Sequence, residues 1–424
     1  MKTSEVFMTR VFSSVAAFIL LLQADPRVEA LREITEEGLR AHVSFLADDA
    51  LEGRAAGFPG NEKAVEYLVK ELTSYGLVPA GEAGRFTQEF VTAAGRRAKN
   101  VIALLEGSDP ERKGEYVAIG AHLDHVGRKG QGVGGQVGET REGDDIWNGA
   151  DDNASGTSAV LAAARAFSRL RARPKRSVLF CWWNAEESGL EGSRHWVRQP
   201  TRPLEKVVYY LNLDMVGRNP ERPMDLEGVK NAEGEVLERI LTEACRAEDL
   251  AFTKYDHYHE AMFRSDGASF LWAGIPASMF FTSWHADYHR VGDHADKIAY
   301  GNLAKIARAA FRVAYDVANL PEALRINVDT PLRGRPLRIR AEDARVGQAG
   351  ACRVTEVAED SALGRAGLRV GDLVVGFRGQ PLPVTRPVAE LWRRVQAAPA
   401  ERELELEVVR GGERRTLKVV WPAQ

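Results

Sequence analysis

Glu186 and Glu187 stand side by side just after the apolar run Ser177–Trp183, and other acid and imidazole groups that could join them are scattered far along the chain. Upstream lie His122-Leu123-Asp124 and Asp151-Asp152-Asn153; downstream lie Asp214 and His289. Neutral imidazoles and ionised carboxylates are the ligands that zinc takes at about 2.0–2.2 Å. Two such ions ~3.5–4 Å apart need one carboxylate between them, and the Asp151-Asp152 pair is the natural source of that bridge. A further carboxylate that holds water rather than metal would complete a hydrolytic centre. Asp124, two residues beyond His122 in extended chain, can face the same side and accept the free imidazole N–H, fixing which ring nitrogen meets the metal. The segment Ser283–His294 carries His285, His289 and His294, and spacing does not choose among them. Taken singly, a histidine after a strand is a satisfied polar residue and an Asp-Asp-Asn turn is a helix cap. Several such groups at strand ends at once favour one metal site.

The elements that must position these groups are short apolar runs with β-branched content: Asn100–Leu105, Tyr116–Ala121, Val178–Trp183 and Val207–Leu211. Each reads as a strand buried on both faces. Ala154–Phe167, small and apolar with Asn153 as its N-cap, reads as a helix packed closely on the sheet. Strand, helix, strand gives an α/β layer with a mixed, mainly parallel sheet flanked by helices. In such sheets ligands sit beyond the carboxyl ends of the strands, and every candidate ligand follows a strand or opens the helix after one. Further helices are expected over Ile34–Leu46, from Gly60 to the stop at Gly76, over Glu233–Glu248 and over Gly301–Leu320, with a strand at Ala277–Phe281. Arg128–Trp147 is Gly-rich and aperiodic, too long for a simple connector, and is expected to overhang the site as a rim loop.

A chain of 424 residues exceeds the usual size of one core, so two domains are expected. With 57 basic against 60 acidic residues and no long Lys/Arg block, nucleic acid is excluded as a partner. The three cysteines, Cys181, Cys245 and Cys352, are scattered, which indicates neither a disulfide framework nor a thiolate metal site. Arg10, the apolar stretch Val11–Leu22 and the small residues Ala24 or Ala30 have the layout of a secretory signal, so residues 1–30 are assigned to a leader and the protein to export, periplasmic or secreted. That stretch is shorter than the ~20 residues that cross a bilayer, so no stable membrane span is expected. Pro and Arg replace periodic spacing at Pro321–Arg335, a linker between a domain at 31–320 and another at 336–424. The latter is β-rich, with strands at Cys352–Val357, Leu373–Phe377, Leu404–Val409 and Thr416–Val420, a hairpin turn at Arg410–Glu413 and a helix at Pro387–Gln396.

The blocks Gly120-Ala-His122-Leu-Asp124-His125, Asn148–Gly156, Asn184–Ser193, Asn212–Gly217 and Asp287-Tyr-His289 resemble the di-zinc aminopeptidases of peptidase clan MH, of the bacterial leucyl aminopeptidase type. The resemblance spans about residues 40 to 320. It implies a zinc exopeptidase fold and two Zn2+ ions, with Asp152 bridging, His122 and Asp214 completing one ion, and Glu187 and His289 completing the other. It implies Glu186 as general base, Asp124 in support, and peptides with a free N-terminus as substrates. Where some members carry a Tyr shortly before a Ser-Asp pair, this chain has Met262-Phe263-Arg264 before Ser265-Asp266, which leaves the oxyanion donor unassigned. Residues 336–424, through Asp360–Gly379, resemble a PDZ domain, which implies a peptide or protein ligand, although Pro336–Arg340 matches the usual carboxylate loop poorly. The alternatives on the same fold are glutaminyl cyclisation with a single zinc, a carboxypeptidase in which Arg264 or Arg290 reads a carboxylate, and a non-catalytic peptide-binding protein.

Overall fold

The computed structural model describes residues 25–325 and 339–420, except 132–133, 141, 233, 256–259, 274, 360, 385–386, 389–390, 392–393 and 395–402. The first unit is a layered α/β structure. Its helices are α1 (Arg27–Leu31), α2 (Glu36–Leu46), α3 (Pro59–Ser74), α4 (Gly156–Ser168), α5 (Glu191–Arg198), α6 (Val236–Ala247), α7 (Glu260–Phe263), α8 (Gly267–Trp272) and α9 (Tyr300–Ala318). Its strands are β1 (Val78–Pro79), β2 (Thr87–Val91), β3 (Arg97–Leu105), β4 (Tyr116–His122), β5 (Ser177–Trp183), β6 (Val207–Leu213), β7 (Met224–Glu227), β8 (Phe252–Tyr255) and β9 (Ala277–Phe281). They form one sheet in the order β1-β3-β5-β4-β6-β9-β7-β8, with β2 paired to β3.

The centre of the sheet is parallel: β4 pairs in parallel with β5 and β6, and β6 with β9. Its margins are not, since β3 runs antiparallel to β5, and β7 antiparallel to β9. Every residue of β5 and β6 is buried, as expected of strands covered by helices on both faces. On one face the small residues of α4, among them Ala159 and Ala162 to Ala164, let the helix lie close to the sheet, with α9 beside it. The approach is tightest at Gly156, where a Cβ would stand 2.3 Å from the Leu213 carbonyl oxygen. On the other face Trp183, Trp196, Tyr210 and Phe270 pack together, with the Tyr210 and Phe270 rings stacked at 3.9 Å.

The strands expected from sequence are all present, as are the helices expected in the first unit, each to within a few residues. The helix opened by Asn153 begins later than expected, at Gly156, because Ala150–Ser155 forms a tight turn first. Ser155 therefore takes the N-cap position expected of Asn153, with no side-chain cap bond of its own, while the Asn153 Oδ1 accepts the Gly156 N–H at 2.9 Å from the turn before it. Residues 27–30, placed with the leader by sequence, belong with Leu31 to a helix of the folded unit: Ala30 and Leu31 are buried and Arg27 pairs with Asp316 at 2.8 Å. Most of that assigned leader lies outside the described residues. Among the described residues no helix is long and apolar enough to cross a membrane. The three cysteines are free and buried.

The second unit is an antiparallel sheet in the order β10-β11-β12-β14-β15, with β13 paired to β12. Its strands are β10 (Ile339–Val346), β11 (Ala349–Val357), β12 (Leu373–Phe377), β13 (Gln380–Pro381), β14 (Glu403–Arg410) and β15 (Glu413–Val420), and α10 (Ala362–Arg365) lies between β11 and β12. Arg410 pairs with Glu413 across Gly411-Gly412, both with positive φ, the two-residue hairpin that the sequence suggests. The helix expected at Pro387–Gln396 and most of the expected linker fall outside the described residues.

Candidate metal centre

The register of the central strands brings the ligand types to one edge. Gly120 of β4 pairs with Asn212 of β6, so two residues further on His122 and Asp214 leave the sheet side by side. His122 also pairs with Trp183 at the end of β5, which sets the Glu186-Glu187 turn next to it. The tight turn before α4 supplies Asp152, and the loop after β9 supplies His289.

Asp152 faces two ways. Its Oδ1 is 3.2 Å from His122 Nε2, and its Oδ2 is 3.1 Å from His289 Nε2. His122 Nε2 is also 3.3 Å from Asp214 Oδ1, and His289 Nε2 is 3.1 Å from Glu187 Oε2. Four ligands about 2.0–2.1 Å from a tetrahedral zinc lie roughly 3.3 Å from one another, so these are the spacings of ligand edges around a cation. Two clusters result, His122 with Asp152 and Asp214, and Asp152 with Glu187, His289 and His125. Both imidazoles turn Nδ1 away from the carboxylates: His122 Nδ1 is 3.1 Å from the Asp124 carbonyl oxygen, and His289 Nδ1 is 2.8 Å from that of Gly135. An Nδ1–H donated to a carbonyl leaves the Nε2 lone pair for a metal. The residues therefore have the donor types and spacing that zinc takes.

The Asp124 carboxylate does not meet His122 in the way expected. It stands 3.8 Å from Nδ1, because its oxygens accept the backbone N–H groups of Glu186 at 3.0 Å and Glu187 at 3.4 Å. It thus ties the end of β4 to the turn after β5. Burial pushes its carboxyl up to about 7. Glu186 lies beside His122 and Glu187, nearly covered; burial, reinforced by Glu187, Asp266 and Asp214, raises its pKa well above the carboxylate range. Glu187 goes the other way: burial opposes its charge, yet hydrogen bonds from His125 and His289 hold it down at about 2. Two neighbouring glutamates are thereby set apart, one able to hold a proton and one ionised.

Of the three downstream histidines, His289 joins the acids of the centre. His285 Nε2 lies 3.2 Å from Asp151 Oδ2 behind it, and His294 Nε2 lies 3.6 Å from Asp144 nearer the surface. Within the Arg128–Trp147 stretch, Gly135 and Val137 meet His289, the Val137 N–H donating to the His289 carbonyl at 2.8 Å.

Three residues carry parts of the site that sequence reasoning did not assign. His125, kept neutral by burial, sets its Nδ1 2.8 Å from Glu187 Oε1 and so orients that carboxylate; its place directly after His122-Leu123-Asp124 was the available signal. Asp293, fully buried, accepts the backbone N–H groups of Asp151 at 2.9 Å and Asp152 at 3.1 Å on one oxygen. Tyr288 stacks on His289 with ring centroids 4.0 Å apart and accepts a hydrogen bond from Arg264 Nη2 at 3.2 Å. Of the residues before Ser265-Asp266, Met262 is buried and has no hydroxyl to offer.

Comparison with known proteins bears on this geometry. A family model described as Peptidase family M28 matches residues 100–314. The chain is 31% identical over 278 residues to leupeptin-inactivating enzyme 1 of Streptomyces exfoliatus, covering 62% of this chain and 53% of that protein. It spans about half the length of the curated relatives it matches. Among solved structures, the Legionella pneumophila LapA aminopeptidase superposes with a TM-score of 0.53 at 20% identity, over 70% of this chain and 75% of that one. Porphyromonas gingivalis glutaminyl cyclase superposes with a TM-score of 0.51 at 18% identity, over 66% of this chain and 97% of that one.

Proposed function

The chain belongs to peptidase family M28, and from that premise we propose that it is a two-zinc aminopeptidase of the bacterial leucyl type, releasing N-terminal residues from peptides. The observation that carries this reading is the division of the Asp152 carboxylate, one oxygen toward His122 and the other toward His289. In this reading His122, Asp152 and Asp214 hold one ion, and Asp152, Glu187 and His289 the other. Bound zinc supplies Lewis acidity, which makes water acidic enough to lose a proton near neutral pH and polarises the scissile carbonyl.

The chain's own groups do the rest. Glu186 takes the proton from the attacking water on its carboxylate and returns it to the leaving amine. A raised pKa suits this, since a group must both accept and release the proton within one cycle. Tyr288 is the donor for the developing oxyanion: burial and the carboxylates of Asp152 and Glu187 raise its pKa above the tyrosine range and keep its O–H intact. Since Arg264 donates to the phenol oxygen, the Tyr288 proton stays available.

Zinc-loaded protein assayed on amino-acid p-nitroanilides with free and acylated N-termini tests the exopeptidase reading, and equal cleavage of both would defeat it. Glu186→Gln keeps its backbone bond to Asp124 and should keep zinc while losing about 10²–10⁴-fold in kcat. Full hydrolysis by that variant would defeat the assigned base.

We extend the proposal to the rest of the chain. Residues 336–424 act as a PDZ-like unit for a peptide or protein ligand, a reading supported by the Asp360–Gly379 pattern and by the antiparallel sheet around it. The protein is exported by its N-terminal leader, which N-terminal sequencing of secreted material tests.

A further inference from the structure

The firmest bracing of the metal centre comes from a segment before the stretch that the family model matches. Arg54 is completely buried, and its guanidinium donates to backbone carbonyls alone: Nε to Leu123 O at 3.0 Å, Nη1 to Leu46 O at 2.5 Å and Asn148 O at 2.6 Å, and Nη2 to Gly149 O at 2.8 Å. Among the described residues no carboxylate lies within ion-pair distance of it. The gripped carbonyls are not arbitrary. Leu123 separates His122 from Asp124, and Asn148 and Gly149 lead directly into Asp151 and Asp152.

The same segment reaches a third ligand-bearing turn. The Arg54 carbonyl accepts from Asn61 Nδ2 at 3.0 Å, and Asn61 exchanges a pair of hydrogen bonds with Asn184, at 3.1 and 2.7 Å. Asn184 stands two residues before Glu186, and both asparagines are fully buried. Gly53 presses against the opening of the rim loop: its φ is +66°, and a Cβ there would stand 2.4 Å from the carbonyl oxygens of both Gly127 and Trp147.

A buried guanidinium near many acids would ordinarily pair with one of them. Pairing with a ligand oxygen would compete with a metal for that oxygen. Bonding to carbonyls instead leaves every carboxylate free and still sets one positive charge behind Asp124, Asp152, Glu187 and Asp293.

We propose that Arg54 is a positioning residue that clamps the His122–Asp124 and Asn148–Asp152 loops at the separation two cations need, with Asn61 extending the clamp to the Glu186-Glu187 turn. The inference rests on the two-ion reading of the site. It predicts that the shape of the guanidinium matters and not only its charge, because a lysine ammonium is a point donor that cannot span four carbonyls.

The test is zinc affinity, measured by competition with a chromophoric chelator, with circular dichroism reporting the fold. Arg54→Lys should bind zinc roughly 10–100-fold more weakly than the unaltered chain. Arg176→Lys is the control: Arg176 is also buried, bonded to Glu115 at 2.7 Å and to the Leu320 carbonyl at 2.6 Å, and its loss should leave zinc affinity unchanged. If Arg54→Lys does not fold, Asn61→Ala leaves the guanidinium in place, removes the side chain that joins the Arg54 carbonyl to Asn184, and should still weaken zinc binding by about tenfold or more. Unchanged affinity in a folded Arg54→Lys, or in Asn61→Ala where only the latter folds, overturns the clamp. Tighter binding in Arg54→Gln with unchanged binding in Arg54→Lys would make Arg54 a charge alone and overturns it too. An unaltered chain that binds no zinc instead overturns the two-ion reading, and this inference with it.

Discussion

Replacing Asp293 by alanine probes how the bridging carboxylate is held. Asp293 Oδ2 accepts the Asp151 and Asp152 N–H groups at 2.9 and 3.1 Å, and both donors are buried. The backbone bond from Ala150 N–H to the Asp293 carbonyl, at 3.0 Å, survives the substitution. Leaving two buried N–H groups without an acceptor costs ~1–3 kcal/mol each, about 2–6 kcal/mol together. Removing a carboxyl that burial pushes up to about 7 returns part of this, so a net loss of roughly 2–4 kcal/mol is expected. At about 2–4 °C per kcal/mol for a domain of this size, Tm should fall by ~4–16 °C. The sign with pH also follows. A carboxyl whose folded pKa is raised contributes most below its unfolded value near 3.8 and loses that contribution as pH rises through about 7. The gap between the two proteins should therefore be smaller at pH 8 than at pH 6. Thermal unfolding monitored by circular dichroism, alongside zinc affinity by chelator competition, reads both effects. A fall in Tm below about 2 °C with zinc affinity unchanged would refute the view that Asp293 sets the bridging loop.

Three further outcomes are expected. Zinc uptake should release protons, because burial of His289 is outweighed by its bonds to Asp152 and Glu187, which raise its pKa to about 11; apparent affinity should fall about tenfold per pH unit for each proton displaced as pH drops from 8 to 6, and titration calorimetry in buffers of different ionisation heat checks it. Gly60→Ala should cost about 3 kcal/mol or more in chemical denaturation, since a Cβ there would stand 1.8 Å from the Leu51 carbonyl oxygen. Arg410→Ala removes a two-pronged bond to buried Asp372, at 2.6 and 2.7 Å, and should destabilise the C-terminal unit by ~1–3 kcal/mol. Burial works against the Asp372 charge but Arg410 lowers its pKa, so that contribution is present above the unfolded value and lost as pH falls through the folded one; urea titrations at pH 7 and pH 3 should show the difference shrinking.

The central strands were legible because unbroken apolar runs such as Val178–Trp183 have few other uses in a chain of this composition, and β5 is buried throughout. The strands at the margins, β1, β2, β7 and β8, were not read, being short or only half covered. The acids and imidazoles were legible as a set because each follows a strand end or opens a helix. What spacing could not do was choose among His285, His289 and His294, since the loop after β9 turns at residues whose left-handed φ, including His289 at +55°, leaves no periodic trace. Arg54 and Asn61 were invisible for another reason. Their work is done through backbone carbonyls and an amide pair, and neither partner type stands out in a sequence. Asp124 was read as a partner of His122, but an extended two-residue spacing does not show that its carboxylate would be taken by the N–H groups after another strand.

The central claim is tested most directly by counting zinc. Native mass spectrometry of the protein titrated with zinc, paired with Asp152→Asn, separates a shared carboxylate from two unrelated acids. The account predicts two ions per chain and a joint weakening of both in the variant, because one side chain serves both clusters. A single ion at saturation, or a variant that still binds two ions as tightly as before, would contradict it.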